Sequence, residues 1–282
     1  MTSPHVVLVT GSTAGIGRAL AEALAAAGAT VGIVARDATR GEAIRAEIAR
    51  ASANPAVMSF VADLSSLADV RRLAADVLTA FPRLDRLVNG AGVFTSRRQL
   101  TTDGLETMFA TNLLAPFLLT NLLLDRLVAN APARILTLAA PSTVQLDFDD
   151  LQGERRFRAL RAFGASKAAD LVFTFELARR LGDTEVAVDA VHPGLVRTSL
   201  MREAPAILRW ATRLVSAPPT RAATAIVPLV LAPQFDGGTG RFFKDGREIG
   251  APAYTREPEV GRRLWDTSAA LTHVSDDAVV PS

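Results

Sequence analysis

The sequence predicts an open α/β fold: a doubly wound parallel sheet flanked by helices, with a ligand at the carboxyl ends of the strands. Three observations carry this expectation. Short apolar runs rich in β-branched residues alternate with amphipathic helical stretches. The first such run leads straight into a glycine-rich turn and then a helix. No repeat, linker or low-complexity segment divides the chain, so a single domain is expected over 1–271, with a loose tail over 272–282.

Taken in order, His5 to Thr10 is a fully apolar strand, as a central parallel strand requires. Gly11-Ser12-Thr13-Ala14-Gly15-Ile16-Gly17 follows, and Arg18 to Ala27 is an alanine-rich helix ended by Gly28. Strand, glycine turn and helix together form a dinucleotide-binding context. The glycines let backbone approach a pyrophosphate, which rests on the helix N-terminus. Thr30 to Ala35 is a second strand, with Arg36 and Asp37 at its tip. Arg36 suits a 2′-phosphate and favours NADP(H); Asp37, twenty residues after Gly17, keeps NAD(H) open.

Thr39 to Ala51 and Leu67 to Phe81 read as helices around a third strand, Val57 to Ala62, which leads to Asp63-Leu64. Leu84 to Val88 is a fourth strand ending in Asn89-Gly90-Ala91-Gly92, small residues that let the chain pass under a cofactor. Leu105 to Val128 is a long helix, bent at Pro116 and carrying Asn112. Arg134 to Leu138 is a fifth strand. A helix carries Lys167 on to about Leu181. Val186 to Val191 is a sixth strand, and His192-Pro193-Gly194-Leu195-Val196-Arg197-Thr198 leaves its tip.

Composition excludes several classes. Among 282 residues there is no cysteine, which removes disulfides, thiolate catalysis and cysteine metal sites. The three histidines form no cluster with carboxylates at ligand spacing, so no metal is expected. A formal charge of +2 without blocks of like sign gives no nucleic-acid footprint. Met1 to His5 lacks the basic region of a signal peptide. Leu113 to Leu124 is the most apolar stretch, but Asn112, Pro116, Asn121 and Asp125 interrupt or bound it, so no membrane span and a cytoplasmic location are expected.

With these motifs in this order, the chain resembles the short-chain dehydrogenase/reductase superfamily over nearly its whole length, and most closely its retinol-dehydrogenase-like branch. Thr10-Gly11 with Gly15-Ile16-Gly17, Asp63-Leu64, Asn89-Gly90-Ala91-Gly92, Asp103-Gly104-Leu105-Glu106 with Asn112, His192-Pro193-Gly194, and Gly240-Arg241-Phe242-Phe243 through Leu264-Trp265 carry the likeness. It implies a Rossmann fold of about seven strands, with a small helical substrate lid at about 199–218. It also implies dimers or tetramers built through long helices, including the one after Phe163. By the same likeness Gly11, Ser12, Thr13, Gly15, Ile16, Gly17, Arg36, Asp63, Leu64, Asn89, Gly90, Ala91, Lys167, Pro193, Gly194, Val196 and Thr198 bind the cofactor.

The departures lie in the catalytic tetrad. The family's tyrosine position, four before the lysine, is Phe163, and its serine position is Ala140. Asn112 and Lys167 are retained, and Ser142 is the nearest substitute hydroxyl. Lys167 and Lys244 are the only lysines among thirty-one basic residues, so an ammonium at the motif position reads as required. Losing one oxyanion donor costs ~10²–10³ in rate, so ordinary ketone chemistry should be impaired. Three readings remain: a reductase of an apolar conjugated or polycyclic acceptor, a non-redox enzyme (cyclisation, isomerisation or dehydration), and a cofactor-binding protein without catalysis. The alanine- and arginine-rich composition fits a bacterial natural-product tailoring role.

Overall fold

The computed structural model describes residues 4–196 and 217–274. Thr198, nearly all of the expected lid and residues 275–282 lie outside the described residues.

Eight strands form one sheet in the order β3-β2-β1-β4-β5-β6-β7-β8. They are β1 (Val6–Val9), β2 (Thr30–Ala35), β3 (Val57–Val61), β4 (Arg86–Asn89), β5 (Ala133–Leu138), β6 (Val186–His192), β7 (Phe242–Lys244) and β8 (Arg247–Glu248). β1 to β7 pair in parallel, and β8 turns back antiparallel on β7. The sheet therefore exceeds the expected seven strands by one two-residue edge strand, too short to leave a periodic signal.

The helices are α1 (Gly15–Ala26), α2 (Ala38–Ser52), α3 (Leu67–Ala80), α4 (Thr107–Ala129), α5 (Ala159–Arg180), α6 (Pro219–Leu231) and α7 (Pro258–Thr272). One face of the sheet packs Leu20, Leu24, Ile44, Ile48 and Ile226 from α1, α2 and α6. The other packs Leu73, Leu118, Val172 and Trp265 from α3, α4, α5 and α7. Doubly wound packing follows from the buried strands: β1 buries Val7 and Val9 on one face and Leu8 on the other, and β4 buries Val88 and Leu87 likewise, so both faces need a helical cover.

Local chemistry sets the helix starts. Asp37 caps α2 by accepting from Arg40 N at 2.7 Å, and Ser66 caps α3 by accepting from Asp69 N. The buried Glu106 carboxylate takes both Met108 N and Phe109 N at the start of α4. The expected bend in α4 is a π-helical segment, Ala110–Leu114, immediately before Pro116. Proline has no N–H for the carbonyl four residues back, and the ladder widens there. α7 still contains Thr272, which is buried.

Two of these helices bear on the sequence expectations. α4 is 23 residues long and, by length and composition alone, apolar enough to cross a bilayer. Of its most apolar window 89% is buried inside the fold, so it serves as a core helix. α5 is buried without a break from Ala168 to Ala178 within one chain, because α7 covers it. Trp265 of α7 sits 4.8 Å from Phe117 and 6.2 Å from Phe173, and Arg180 lies 4.1 Å over its ring. That middle stretch of α5 offers no open face to a second copy.

Beneath the sheet, at the entry ends of β4 and β5, two arginines are almost fully buried. Arg86 Nη2 and Arg134 Nη2 share Asp236 Oδ1 at 3.2 and 2.8 Å. At the C-terminal end of α6, Val230 O accepts from Arg86 Nε and Leu229 O from Arg134 Nη1, while Arg86 Nη1 donates to Pro132 O and Asp85 O.

Candidate active site

At the opposite, carboxyl ends of the strands, the strand order reverses between β1 and β4. Two loops interlock there. Gly11 has φ +69°, and a Cβ on it would lie 2.6 Å from Gly90 O. A Cβ on Gly17 would lie 2.3 Å from Gly11 O. Neither position tolerates a side chain, and α1 begins hard against the loop. Thr10 Oγ1 accepts from Gly90 N at 3.0 Å and Ala91 N at 3.3 Å, tying the two loops together. Gly15 also has positive φ, and α1 has no side-chain cap, which leaves its first amides available for an anion.

Not every residue of the glycine turn faces outward. Ser12 is fully buried, and its hydroxyl accepts from Val34 N at 2.9 Å, so its side chain serves β2. Ile16 packs into the core beside α1, while Thr13 is half-buried on the loop. Arg36 is exposed just beyond β2, whereas Asp37 is engaged as the α2 cap. Asp63 accepts from Ser65 N and Ser65 Oγ, bracing the turn that presents Leu64. Asn89 donates to Thr120 Oγ1 at 3.1 Å, and its buried Oδ1 has no protein partner among the described residues. Gly194 has φ +79° after Pro193, and Val196 bridges to Ala217.

The tetrad positions do come together. Asn112, on the π-helical turn, accepts from Val93 N at 2.8 Å and donates to Val93 O and Ser166 Oγ. Its side chain staples the loop after β4 to α5. Phe163 and Lys167 lie on α5, one turn apart, with Lys167 Nζ 5.9 Å from the Phe163 ring centroid. Phe94 meets Phe163 edge to face at 5.7 Å. Lys167 Nζ donates to Asp170 Oδ2 at 2.7 Å and is 3.4 Å from Leu138 O at the end of β5. Ala140 follows β5 and is half-buried. Ser142 Oγ accepts from Val144 N and lies 3.4 Å from where a Cβ on Gly164 would be, so its hydroxyl borders α5 beside Phe163.

Electrostatically, the site's buried acid is Asp170. Burial pushes its carboxyl up to about 6, against the downward pull of Lys167. Tyr254 is half-buried and donates to Val144 O at 2.5 Å, which braces the loop carrying Ser142. Burial pushes its phenol up to about 12, so it is no ready acid. Sequence reading missed the roles of Ser166 and Asp170. For Asp170 the signal was present: a lone acid three residues after a lysine, within an otherwise apolar stretch. No cluster of histidine and carboxylate able to hold a metal occurs among the described residues.

A family model described as short chain dehydrogenase matches residues 5–207. The chain belongs to the short-chain dehydrogenase family. Retinol dehydrogenase 12 of Mus musculus is 38% identical over 272 residues, covering 94% of this chain and 85% of that protein. Retinol dehydrogenases 13 and 14 of Homo sapiens align at 38% and 37%, which places the chain in the retinol-dehydrogenase-like branch. Among solved structures, a short chain dehydrogenase from Burkholderia cenocepacia J2315 in complex with NADP superposes with TM-score 0.68 at 29% identity, covering 85% of this chain and 95% of that one. The 3-ketoacyl-(acyl-carrier-protein) reductase from Brucella melitensis, complexed with NADH, gives TM-score 0.68 at 26%, covering 87% and 98%. A dinucleotide fits the residues present here: the first amides of α1 have no side-chain cap, and Asn89 Oδ1 is a buried acceptor without a protein partner among the described residues.

Proposed function

We propose that the chain is an NADP(H)-dependent reductase of an apolar conjugated or polycyclic acceptor, such as an enone or quinone. The observation that carries this reading is the pairing of a retained cofactor cradle and Lys167 with two apolar residues, Phe163 and Ala140, where hydroxyls would hold a carbonyl oxygen. Bound NADP(H) supplies a hydride. The chain's own residues bind and orient. The Gly11–Gly17 turn and the first amides of α1 take the pyrophosphate, Arg36 the 2′-phosphate, and the Lys167 ammonium the ribose hydroxyls. Asp37, engaged as a helix cap, is a poorer ribose ligand, which favours NADP(H) over NAD(H). Phe94 and Phe163 form an apolar wall that excludes water and suits a flat unsaturated substrate. In such an acceptor the new negative charge is delocalised, so proton delivery from a side-chain hydroxyl is not required. A cytoplasmic setting and a role in natural-product tailoring complete the reading, supported by composition. A homo-oligomer would use surfaces other than the covered middle of α5.

The test is a thermal-shift titration with NADPH and NADH, followed by an enone and quinone panel with NADPH deuterated at the transferred position. Stronger stabilisation by NADPH and deuterium in the product are expected. Product formed without NADPH consumption would instead establish a non-redox enzyme, and absence of stabilisation by either nucleotide would refute the cofactor assignment.

A further inference from the structure

Lys167 has an unusual pair of neighbours. On one side its ammonium faces the Phe163 ring, which offers no oxygen. On the other, Asp170 Oδ2 lies 2.7 Å away, one turn further along α5. The Asp170 side chain is 3% exposed and flanked by the buried Ala168, Ala169, Leu171 and Val172. Lys167 is the one charged group acting on Asp170 among the described residues. Asp170 also borders a small pocket of mixed lining, with Asn89, Asn112 and Thr137 beside Leu119 and Leu138, under the ends of β4 and β5. A buried carboxylate is retained only when paired, so this one is bound to the ammonium in function as well as in space.

We propose that Asp170 is a positioning residue which holds the Lys167 ammonium as a neutral ion pair, making Lys167 a tethered hydrogen-bond donor that no longer acidifies a group at position 163. An uncompensated ammonium about 6 Å away would make a phenol roughly a hundredfold more acidic at an effective dielectric constant of about 20. With Asp170 beside it, most of that field is cancelled. Phe163 and Asp170 thus belong together: one removes the hydroxyl, and the other removes the field that would activate it.

Two measurements test this, and neither uses a cofactor or substrate, so both stand apart from the proposed activity. The chain's two lysines allow competitive amine acylation with acetic anhydride at pH 8, read by peptide mass spectrometry, with exposed Lys244 as internal reference. Asp170→Asn is expected to raise labelling of Lys167 relative to Lys244 at least tenfold; an unchanged ratio overturns the proposal. Should Asp170→Asn not fold, the second measurement decides. In Phe163→Tyr the only other tyrosine is Tyr254, whose phenol is pushed up to about 12, so ultraviolet titration isolates the new phenol. It is expected to titrate at the ordinary ~10 or above. Titration near ~8, as beside an unpaired ammonium, overturns the proposal.

Discussion

Replacing Asp236 by asparagine should cost more stability than most core truncations. Asp236 Oδ1 is shared by two guanidiniums, each 1% exposed, at 3.2 and 2.8 Å. Burial first, and then the neighbouring Arg86, push Arg134 down to about 10 even against the opposing pull of Asp236. After the substitution Arg86 keeps Val230 O and Pro132 O, and Arg134 keeps Leu229 O, but neither keeps an ion pair among the described residues, and Asp85 and Asp189 act on them only at longer range. Each lost pair is worth up to ~4 kcal/mol at an effective dielectric constant of 20. Asp236 is itself one-fifth exposed, and the α6 carbonyls are dipoles that compensate in part. Breaking one partner of a buried pair costs ~3–5 kcal/mol, and we expect Asp236→Asn to fall in that range. At ~2–4 °C per kcal/mol for a chain approaching this size, the melting temperature should drop by about 10 °C. Urea unfolding followed by far-ultraviolet circular dichroism measures it directly. A loss below ~1 kcal/mol would mean that the α6 terminus alone neutralises both arginines, and the reasoning would be wrong.

Gly17→Ala should abolish stabilisation by NADPH, because its Cβ would sit 2.3 Å from Gly11 O; a retained shift in melting temperature would show that the loop can yield. Arg36→Ala should weaken NADPH binding about tenfold while sparing NADH, as measured by fluorescence titration; equal losses would remove Arg36 from the 2′-phosphate site. Phe163→Tyr with Ala140→Ser should raise ketone reduction only modestly, and adding Asp170→Asn should raise it by a further ~10²; equal rates with and without the third change would argue against a suppressed field. For pH, the folded-state carboxyl of Asp170 lies above its unfolded value, so the folded protein binds the extra proton. Stability should therefore fall as pH rises from about 4 to about 6. Asp170→Asn should flatten that slope, and parallel profiles for the two proteins would contradict the assignment.

Much of this architecture is legible in the residues themselves. β2 spans Thr30–Ala35 in both sequence and structure, because a β-branched run between Gly28 and a charged tip leaves little choice. The start of α5 was not legible: from Arg155 to Arg161 arginines interrupt Phe157, Ala159 and Leu160 without a clear period, and the helix begins at Ala159 without a capping side chain. β8 is held by a single edge pairing, which no hydrophobic period records. At the site, the glycine turn and the two substituted tetrad positions could be read from spacing. The inward turn of Ser12 could not, since its partner strand lies 22 residues away, and the pairing of Lys167 with Asp170 was marked only by an acid three residues after a lysine in an apolar stretch.

The apolar α4 carries one more consequence. Its safety depends on the sheet and on α3, α5 and α7 being in place around it. Once the chain opens, 23 residues with the hydropathy of a bilayer segment meet water together. Exposed surface of that kind self-associates faster than it refolds. Thermal unfolding of this protein should therefore be governed by a rate: its apparent melting temperature will climb with scan speed and fall with protein concentration, and lipid or detergent will capture the opened chain.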